Sequence, residues 1–297
     1  MEQGFVKVAS ATPRIRVADP VYNAQVICEQ AKEAAEHGAK IVVFPELCIT
    51  GYTCNDLFLQ ELLLEKAKEA LLTIAEETGQ LETLFLVGLP VDKDGRLYNV
   101  AAVLYRGRIL GMIPKKNIPM YAEFYEGRHF TPGEETVTEY RLGKQVIPFG
   151  SNLLFRCEEL PELILGCELC EDLWVAEPPS TSHALMGATV IANLSASNET
   201  VSKDDYRTLL IKASSARLLC GYIYTSAGEG ESTQDLVFGG HDLIAENGTL
   251  LVQSARFTTG ILYTDLDVLK ISSERRRMGT FGKRPMKPYL TVPFSMQ

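Results

Sequence analysis

Lys40-Ile41-Val42-Val43-Phe44-Pro45-Glu46-Leu47 is a short apolar run, rich in β-branched residues, that stops at a proline and delivers a carboxylate. It is too short for an independent helix, and its boundaries of charge and proline read as those of a buried strand. Upstream, Val21–His37 carries apolar residues at helical spacing, with Asp19 as N-cap, Pro20 in the first turn and Gly38 as the stop. Before that, Phe5–Ala9 is another short apolar run. The three segments make a β-α-β unit whose second strand ends on Glu46.

The same order recurs downstream in Leu163–Leu169, a helix from about Thr181, and Ala188–Leu194. Leu84–Leu89, Val100–Tyr105 and Gly221–Thr225 add further buried strands, and Leu57–Glu77 and Lys203–Leu219 add helices. Strands alternating with helices predict an α/β fold, and two β-α-β units predict two halves packed across a pseudo-symmetric core. Two hairpin signals, Arg106-Gly107 within Tyr98–Pro114 and Asn247-Gly248 within Leu236–Asp267, require antiparallel members, so the sheets are expected to be mixed. No Pro/Gly/Ser linker divides the chain. One domain is expected over residues 1–270. Residues 271–297, with Arg275-Arg276-Arg277 and Pro285, Pro288 and Pro293, read as a tail or the start of a linker.

Of 297 residues, 46% are hydrophobic and 23% charged, which excludes a disordered chain. The formal charge of −9 and a pI near 5.1 leave no excess of cations to displace counterions, so nucleic acid is not an expected partner. No apolar run approaches the ~20 residues of a membrane span, and no membrane association is expected. Seven cysteines, an odd number, argue for reduced thiols and a cytoplasmic protein.

Elimination narrows the chemistry. His37, His129, His183 and His241 show no zinc-type spacing, and no G-x-S-x-G elbow supports a serine triad. Cys167 and Cys170 form a C-x-x-C without a second copy, and in a strand they point to opposite faces. No phosphate-binding glycine loop is present, and Gly228-Glu229-Gly230 alone is weak. What remains lies at strand ends: Glu46 after Lys40–Phe44, Lys115 after Ile109–Ile113, and Cys170 after Leu163–Leu169. Ligands of α/β sheets bind beyond such carboxyl ends. A carboxylate, an ammonium and a thiol meeting there supply base, electrophile and nucleophile without histidine. Taken singly, they also read as a helix-capping acid, a solvated cation and a buried thiol.

Phe44-Pro45-Glu46-Leu47, Thr50-Gly51-Tyr52, Pro114-Lys115 and Cys170-Glu171-Asp172-Leu173-Trp174, in that order, resemble the carbon–nitrogen hydrolase (nitrilase) superfamily. Within it the likeness is to the glutaminase domains of glutamine-dependent NAD synthetases. Tyr121-Ala122-Glu123-Phe124-Tyr125-Glu126, Asn193-Leu194-Ser195-Ala196-Ser197 and Ala227-Gly228-Glu229-Gly230-Glu231-Ser232-Thr233 point to that branch. The resemblance runs from about residue 5 to about residue 270.

The resemblance implies a nitrilase-like α-β-β-α sandwich with mixed sheets and a Glu-Lys-Cys triad. Carried over by motif, Cys170 is the nucleophile, Glu46 the general base and Lys115 the stabiliser of the tetrahedral intermediate. Glu123 is the supporting glutamate. Lys115 and the backbone N–H of Glu171 are expected to form the oxyanion hole. Tyr121, Glu171, Ser197 and Lys203 are expected to line the glutamine pocket, Lys203 standing where this branch has an arginine. The implied reaction is hydrolysis of L-glutamine through a cysteine thioester, supplying ammonia for NAD biosynthesis. No metal and no cofactor is implied for this domain.

ATP and Mg belong to a synthetase domain whose pyrophosphate-binding Ser-Gly-Gly loop is lacking here, since Gly239-Gly240 lies between Phe238 and His241. The expected partners are therefore L-glutamine, an ATP-dependent NAD synthetase domain outside this sequence, and further copies of the chain in a homo-oligomer. Two alternatives stay open. One is a free-standing amidase or carbamoylase of the same superfamily acting on another amide. The other is a catalytically silent module that keeps the fold.

Overall fold

The computed structural model describes residues 2–282 and 288–296. The first half runs β1 (Phe5–Thr12), α1 (Pro20–Glu36), β2 (Ile41–Val43), α2 (Glu61–Glu77), β3 (Leu84–Lys93), β4 (Arg96–Tyr105) and β5 (Arg108–Pro114). The second half begins with β6 (Thr138–Leu142), β7 (Gln145–Phe149), β8 (Leu153–Cys157), β9 (Ile164–Leu169), α3 (Pro179–Leu185) and β10 (Val190–Ser195). It ends with α4 (Lys203–Leu218), β11 (Gly221–Ser226), β12 (Leu243–Glu246), β13 (Thr249–Gln253), β14 (Gly260–Asp267), α5 (Val268–Arg277) and β15 (Leu290–Phe294).

Local chemistry sets the boundaries. Asp19 caps α1 by accepting the Tyr22 N–H at 3.1 Å, and Gly38, at φ 82°, follows its end. Two-residue hairpins turn on Asp94-Gly95, Arg106-Gly107 and Asn247-Gly248, each pair left-handed, the geometry that matches strand twist. The run Leu57–Glu77, expected as one helix, is broken. Tyr52–Leu59 forms short 3-10 turns kinked at Asn55 (φ 49°), and α2 starts only after the extended Gln60.

Among the described residues one sheet has eight strands in the order β14-β1-β2-β3-β4-β5-β7-β6, and the other has seven, β13-β12-β11-β10-β9-β8-β15. Both are mixed, with β1, β2 and β3 parallel in the first and β9, β10 and β11 parallel in the second. Alternation gives each sheet two apolar faces. Val8, Ile41, Val43 and Leu86 of the first meet Phe155, Leu165, Leu169 and Ala192 of the second in the core between them. On the outer face of the first sheet, Val42, Phe85 and Val87 pack on Ile27, Ala31, Leu71 and Ile74 of α1 and α2. On the outer face of the second, Ile191, Tyr222 and Leu243 pack on Ala184, Ile211 and Leu218 of α3 and α4. The result is a four-layer α-β-β-α sandwich, with β1-α1-β2 and β9-α3-β10 in opposite sheets.

The boundary expected at residue 270 is not where the fold ends. α5 buries Val268 and Ile271, and β15 pairs in parallel with β8, from Leu290 opposite Leu153 to Phe294 opposite Cys157. Arg275, expected in a basic tail, donates to the carbonyls of Ala188 at 2.6 Å, Leu219 at 2.9 Å and Leu218 at 3.0 Å. These groups lie at or just beyond the C-terminal ends of α3 and α4, where carbonyls lack helical partners and a cation is favoured. Residues 271–282 and 288–296 are therefore built into the sandwich; Pro285 lies outside the described residues. All seven cysteines are free thiols and buried. No helix among the described residues is long and apolar enough to cross a membrane.

Candidate active site

Three strand ends build the site. Glu46 follows β2, and its N–H donates to the Ser195 carbonyl at 3.2 Å, tying the first sheet to the second. The turn passes so close to β3 that a Cβ on Gly88 would lie 2.3 Å from the Leu47 nitrogen, so only glycine fits there. Lys115 follows β5, its N–H donating to the Asn99 carbonyl at 2.8 Å. Cys170 follows β9 and opens the 3-10 turn Cys170–Leu173 with φ at 40°.

Glu46 and Lys115 are both fully buried, and the Lys115 Nζ donates to Glu46 Oε1 at 2.7 Å. The same ammonium donates to Glu126 Oε1 at 2.6 Å. Asn99 Nδ2 donates to Glu46 Oε1 at 2.7 Å and to Glu126 Oε2 at 3.4 Å, and the Tyr52 hydroxyl donates to Glu126 Oε1 at 2.8 Å. Both donors on Glu46 use one oxygen. Among the described residues Oε2 is left buried without a hydrogen-bond partner, so this carboxylate keeps an uncommitted lone pair.

Glu123, the expected supporting carboxylate, is not the one on Lys115. Glu123 sits inside a turn closed by the Phe124 N–H on the Tyr121 carbonyl at 2.9 Å, with Ala122 at φ 48°, and Glu126 lies beyond it. Glu123 faces the cleft and accepts from Asn198 Nδ2 at 2.5 Å, while Glu126, three residues on, enters the interior. Glu126 takes the place expected of Glu123.

The electrostatics follow from this burial. Desolvation opposes the Lys115 ammonium, but the Glu126 and Glu46 carboxylates outweigh it and hold its pKa well above the ordinary range. Burial pushes Glu126 up to about 6, against the pull of Lys115. Burial also raises the Cys170 thiol far above its usual value, Glu46 adding to the effect and Lys115 opposing it. Burial and Glu46 thus favour the thiol over the thiolate at this sulfur.

Cys170 lines a cleft of about 400 Å³ together with Tyr121, Glu123, Phe124, Glu171, Trp174, Ser197 and Lys203. The Tyr121 hydroxyl donates to both Glu171 oxygens, at 3.0 and 2.9 Å. Lys203 Nζ lies 5.6 Å from the Phe124 ring centre and 5.3 Å from that of Trp174, and donates to Asn198 Oδ1. Burial holds its pKa below the usual lysine value. Ser197 Oγ accepts from Arg207 at 3.3 Å, and this buried arginine also pairs with Glu199 at 2.8 Å. The expected pocket residues thus share one cleft.

Sequence reasoning missed Arg207, Glu126 and Asn99. Arg207 left one signal, a position one helical turn beyond Lys203 and so on the same face of α4. Glu231, in one of the motif stretches, acts elsewhere. It accepts the Tyr52 N–H at 2.7 Å and the Thr53 N–H at 3.0 Å, holding the tyrosine that donates to Glu126. Among the described residues, no group of three or more His, Cys, Asp or Glu side chains is arranged to hold a metal ion.

An α-β-β-α sandwich with a thiol, a carboxylate and an ammonium at its strand ends defines a class of carbon–nitrogen bond hydrolases. Residues 7–276 match the Carbon-nitrogen hydrolase family, and the chain belongs to it. Over 282 residues it is 43% identical to the glutamine-dependent NAD(+) synthetase of Mycobacterium tuberculosis, covering 94% of this chain and 42% of that protein. Among solved structures it is similar to a glutamine-dependent NAD(+) synthetase from Cytophaga hutchinsonii, with TM-score 0.80, 28% identity, and coverage of 88% of this chain and 43% of that one. An amidase from Nesterenkonia sp. shares the fold at TM-score 0.70 and 21% identity, covering 94% of this chain and 96% of its own. The chain spans less than half the length of the synthetases it matches.

Proposed function

We propose that the chain hydrolyses the side-chain amide of L-glutamine and supplies the ammonia to NAD synthesis. The observation that carries this reading is the buried Glu46–Lys115–Glu126 cluster, whose charges act on Cys170 at the base of an open cleft. Glu171 and Glu123 give that cleft carboxylates and Lys203 gives it a cation, complementary to the ammonium and carboxylate of an amino acid whose side chain points at the sulfur.

In the proposed cycle, Glu46 Oε2 takes the Cys170 proton as the sulfur adds to the carboxamide carbon. Lys115 and the Glu171 N–H receive the developing oxyanion, a contribution of about 3 kcal/mol per donor in comparable sites. Glu46 returns the proton to the leaving nitrogen, ammonia departs and a γ-glutamyl thioester remains. Glu46 then deprotonates water, which adds to the thioester carbon; the C–S bond breaks, glutamate leaves, and the Cys170 sulfur takes the proton back from Glu46. The ammonia passes to an ATP- and Mg-dependent synthetase domain, with the assembly a cytoplasmic homo-oligomer.

The test is a substrate panel of glutamine, other ω-amides and N-carbamoyl compounds, run with the wild-type chain and Cys170→Ala. Glutamine preference, lost in the variant while the fold is kept, is the expected result. Preference for another compound, or ammonia release by the variant near the wild-type rate, refutes the assignment. Glu46→Gln is expected to stop both half-reactions. A trapped thioester seen by mass spectrometry in that variant limits the role of Glu46 to the second.

A further inference from the structure

Cys170 occupies left-handed backbone space, which disfavours any residue with a side chain by about 1 kcal/mol or more. Something must hold it there. Its N–H donates at 3.2 Å to the side-chain oxygen of Asn193, on the neighbouring strand β10. The orientation of that amide is fixed on both sides. Ser195 Oγ donates to the same oxygen at 2.6 Å, and the Asn193 Nδ2 donates to the Tyr222 hydroxyl on β11 at 3.2 Å. Tyr222 in turn donates to Glu168 Oε1, and Glu168 Oε2 accepts the Ser180 N–H at 2.8 Å, in the first turn of α3.

Glu168, Asn193 and Tyr222 are fully buried, and Glu168 stands directly opposite Asn193 in the parallel register. They lie on the outer face of the second sheet, beneath α3 and α4. An apolar trio there would pack without any desolvation penalty. A carboxyl, a phenol and a carboxamide buried in one chain are a poor way to stabilise a sheet, and their common end point is the nucleophile's own peptide group.

We propose that Glu168, Tyr222 and Asn193 are positioning residues, a hydrogen-bonded strut that fixes the Cys170 peptide so that the sulfur and the following N–H face the substrate carbonyl. This rests on Cys170 being the nucleophile. None of the three residues lines the cleft, so the strut governs the chemical step and leaves substrate affinity alone. Misplacement of a reacting group by about 1 Å costs on the order of 100-fold in rate, which sets the scale of the effect.

The experiment compares Tyr222→Phe, Asn193→Leu and their double variant with wild type in the full chain, measuring kcat and KM for glutamine hydrolysis, with circular dichroism to confirm folding. Tyr222→Phe removes one oxygen and is the variant expected to fold without difficulty. The expected result is a fall in kcat of about 10-fold for Tyr222→Phe and about 100-fold for Asn193→Leu, with KM within twofold. The double variant should be no slower than Asn193→Leu, because links of one chain are not additive. A kcat within twofold of wild type in folded Tyr222→Phe overturns the strut, as does a loss confined to KM. Cys170→Ala separates the two ideas. If it keeps activity, the nucleophile assignment itself fails; if it is inactive while the strut variants are unimpaired, only the strut fails.

Discussion

Asp172 and Asn117 are joined twice through one oxygen: Oδ1 of Asp172 accepts the Asn117 backbone N–H at 2.8 Å and its side-chain amide at 2.7 Å. Oδ2 of the same carboxylate accepts the Leu169 N–H at 3.1 Å and the Lys116 N–H at 3.4 Å. A single buried side chain therefore binds the segment that carries Lys115 to the turn that carries Cys170, across the two sheets.

Asp172→Ala strands four donors, the buried Leu169 N–H and the half-buried groups of Lys116 and Asn117, and frees the segments that carry Lys115 and Cys170 from each other. The expected outcome is a loss of about 3 kcal/mol in urea unfolding, from unsatisfied N–H groups. A fall in kcat of at least about 10-fold should accompany it when assayed well below the unfolding transition.

Asn99 shares Glu46 Oε1 with Lys115 and so leaves Oε2, the oxygen proposed above as the base, without a partner among the described residues. Asn99→Ala lets the carboxylate rotate and offer either oxygen. Steady-state kinetics should show kcat lowered by about 10-fold and KM nearly unchanged, because Asn99 does not line the cleft.

Glu126 gives the site its acid limit. As pH falls through about 6 it protonates, and Lys115 loses one of its two counter-charges. The pH profile of kcat/KM should fall on the acid side with an apparent pKa near 6 that belongs to the cluster as a whole. Glu126→Gln should remove or displace that limb. Stability responds in the opposite sense. A carboxyl raised from 4.5 to about 6 on folding penalises the folded state progressively as pH rises through that interval, and not further above it. Thermal melts of Glu126→Gln should show less pH dependence there.

Gly88→Ala brings a methyl group against the backbone of Pro45, Glu46 and Leu47, none of which can rotate away. Melting should show a loss of about 1–3 kcal/mol, and activity should fall more than stability because the displaced segment carries Glu46, the proposed base.

Most of the sandwich was legible because its central strands are uninterrupted apolar runs, its helices carry apolar residues at helical spacing, and α1 is capped by Asp19. The strand pair β6 and β7 was not, because Thr138–Leu142 and Gln145–Phe149 alternate exposed and buried residues over only five positions. β15 escaped for a similar reason. Leu290–Phe294 is mostly accessible and follows prolines, so it reads as a tail until β8 supplies its hydrogen bonds. In the site, the positions of Glu46, Lys115 and Cys170 at strand ends were readable as a pattern. Whether Glu123 or Glu126 reached the lysine depended on the direction of one turn at Ala122, and no periodicity encodes that. Asn99 left only the faint signal of an amide inside an apolar strand.

The seven thiols are unequally placed. Cys48, Cys54, Cys157, Cys167 and Cys220 are at most 2% exposed, Cys28 on the sheet-facing side of α1 and Cys170 are each 6% exposed, and of the seven Cys170 alone borders the cleft. A slow alkylating reagent therefore becomes a counter: at most the two thiols Cys28 and Cys170 are reached while the molecule is intact, and further equivalents are taken up only as layers separate. The chain carries its own gauge of integrity, readable by mass without any assay of turnover.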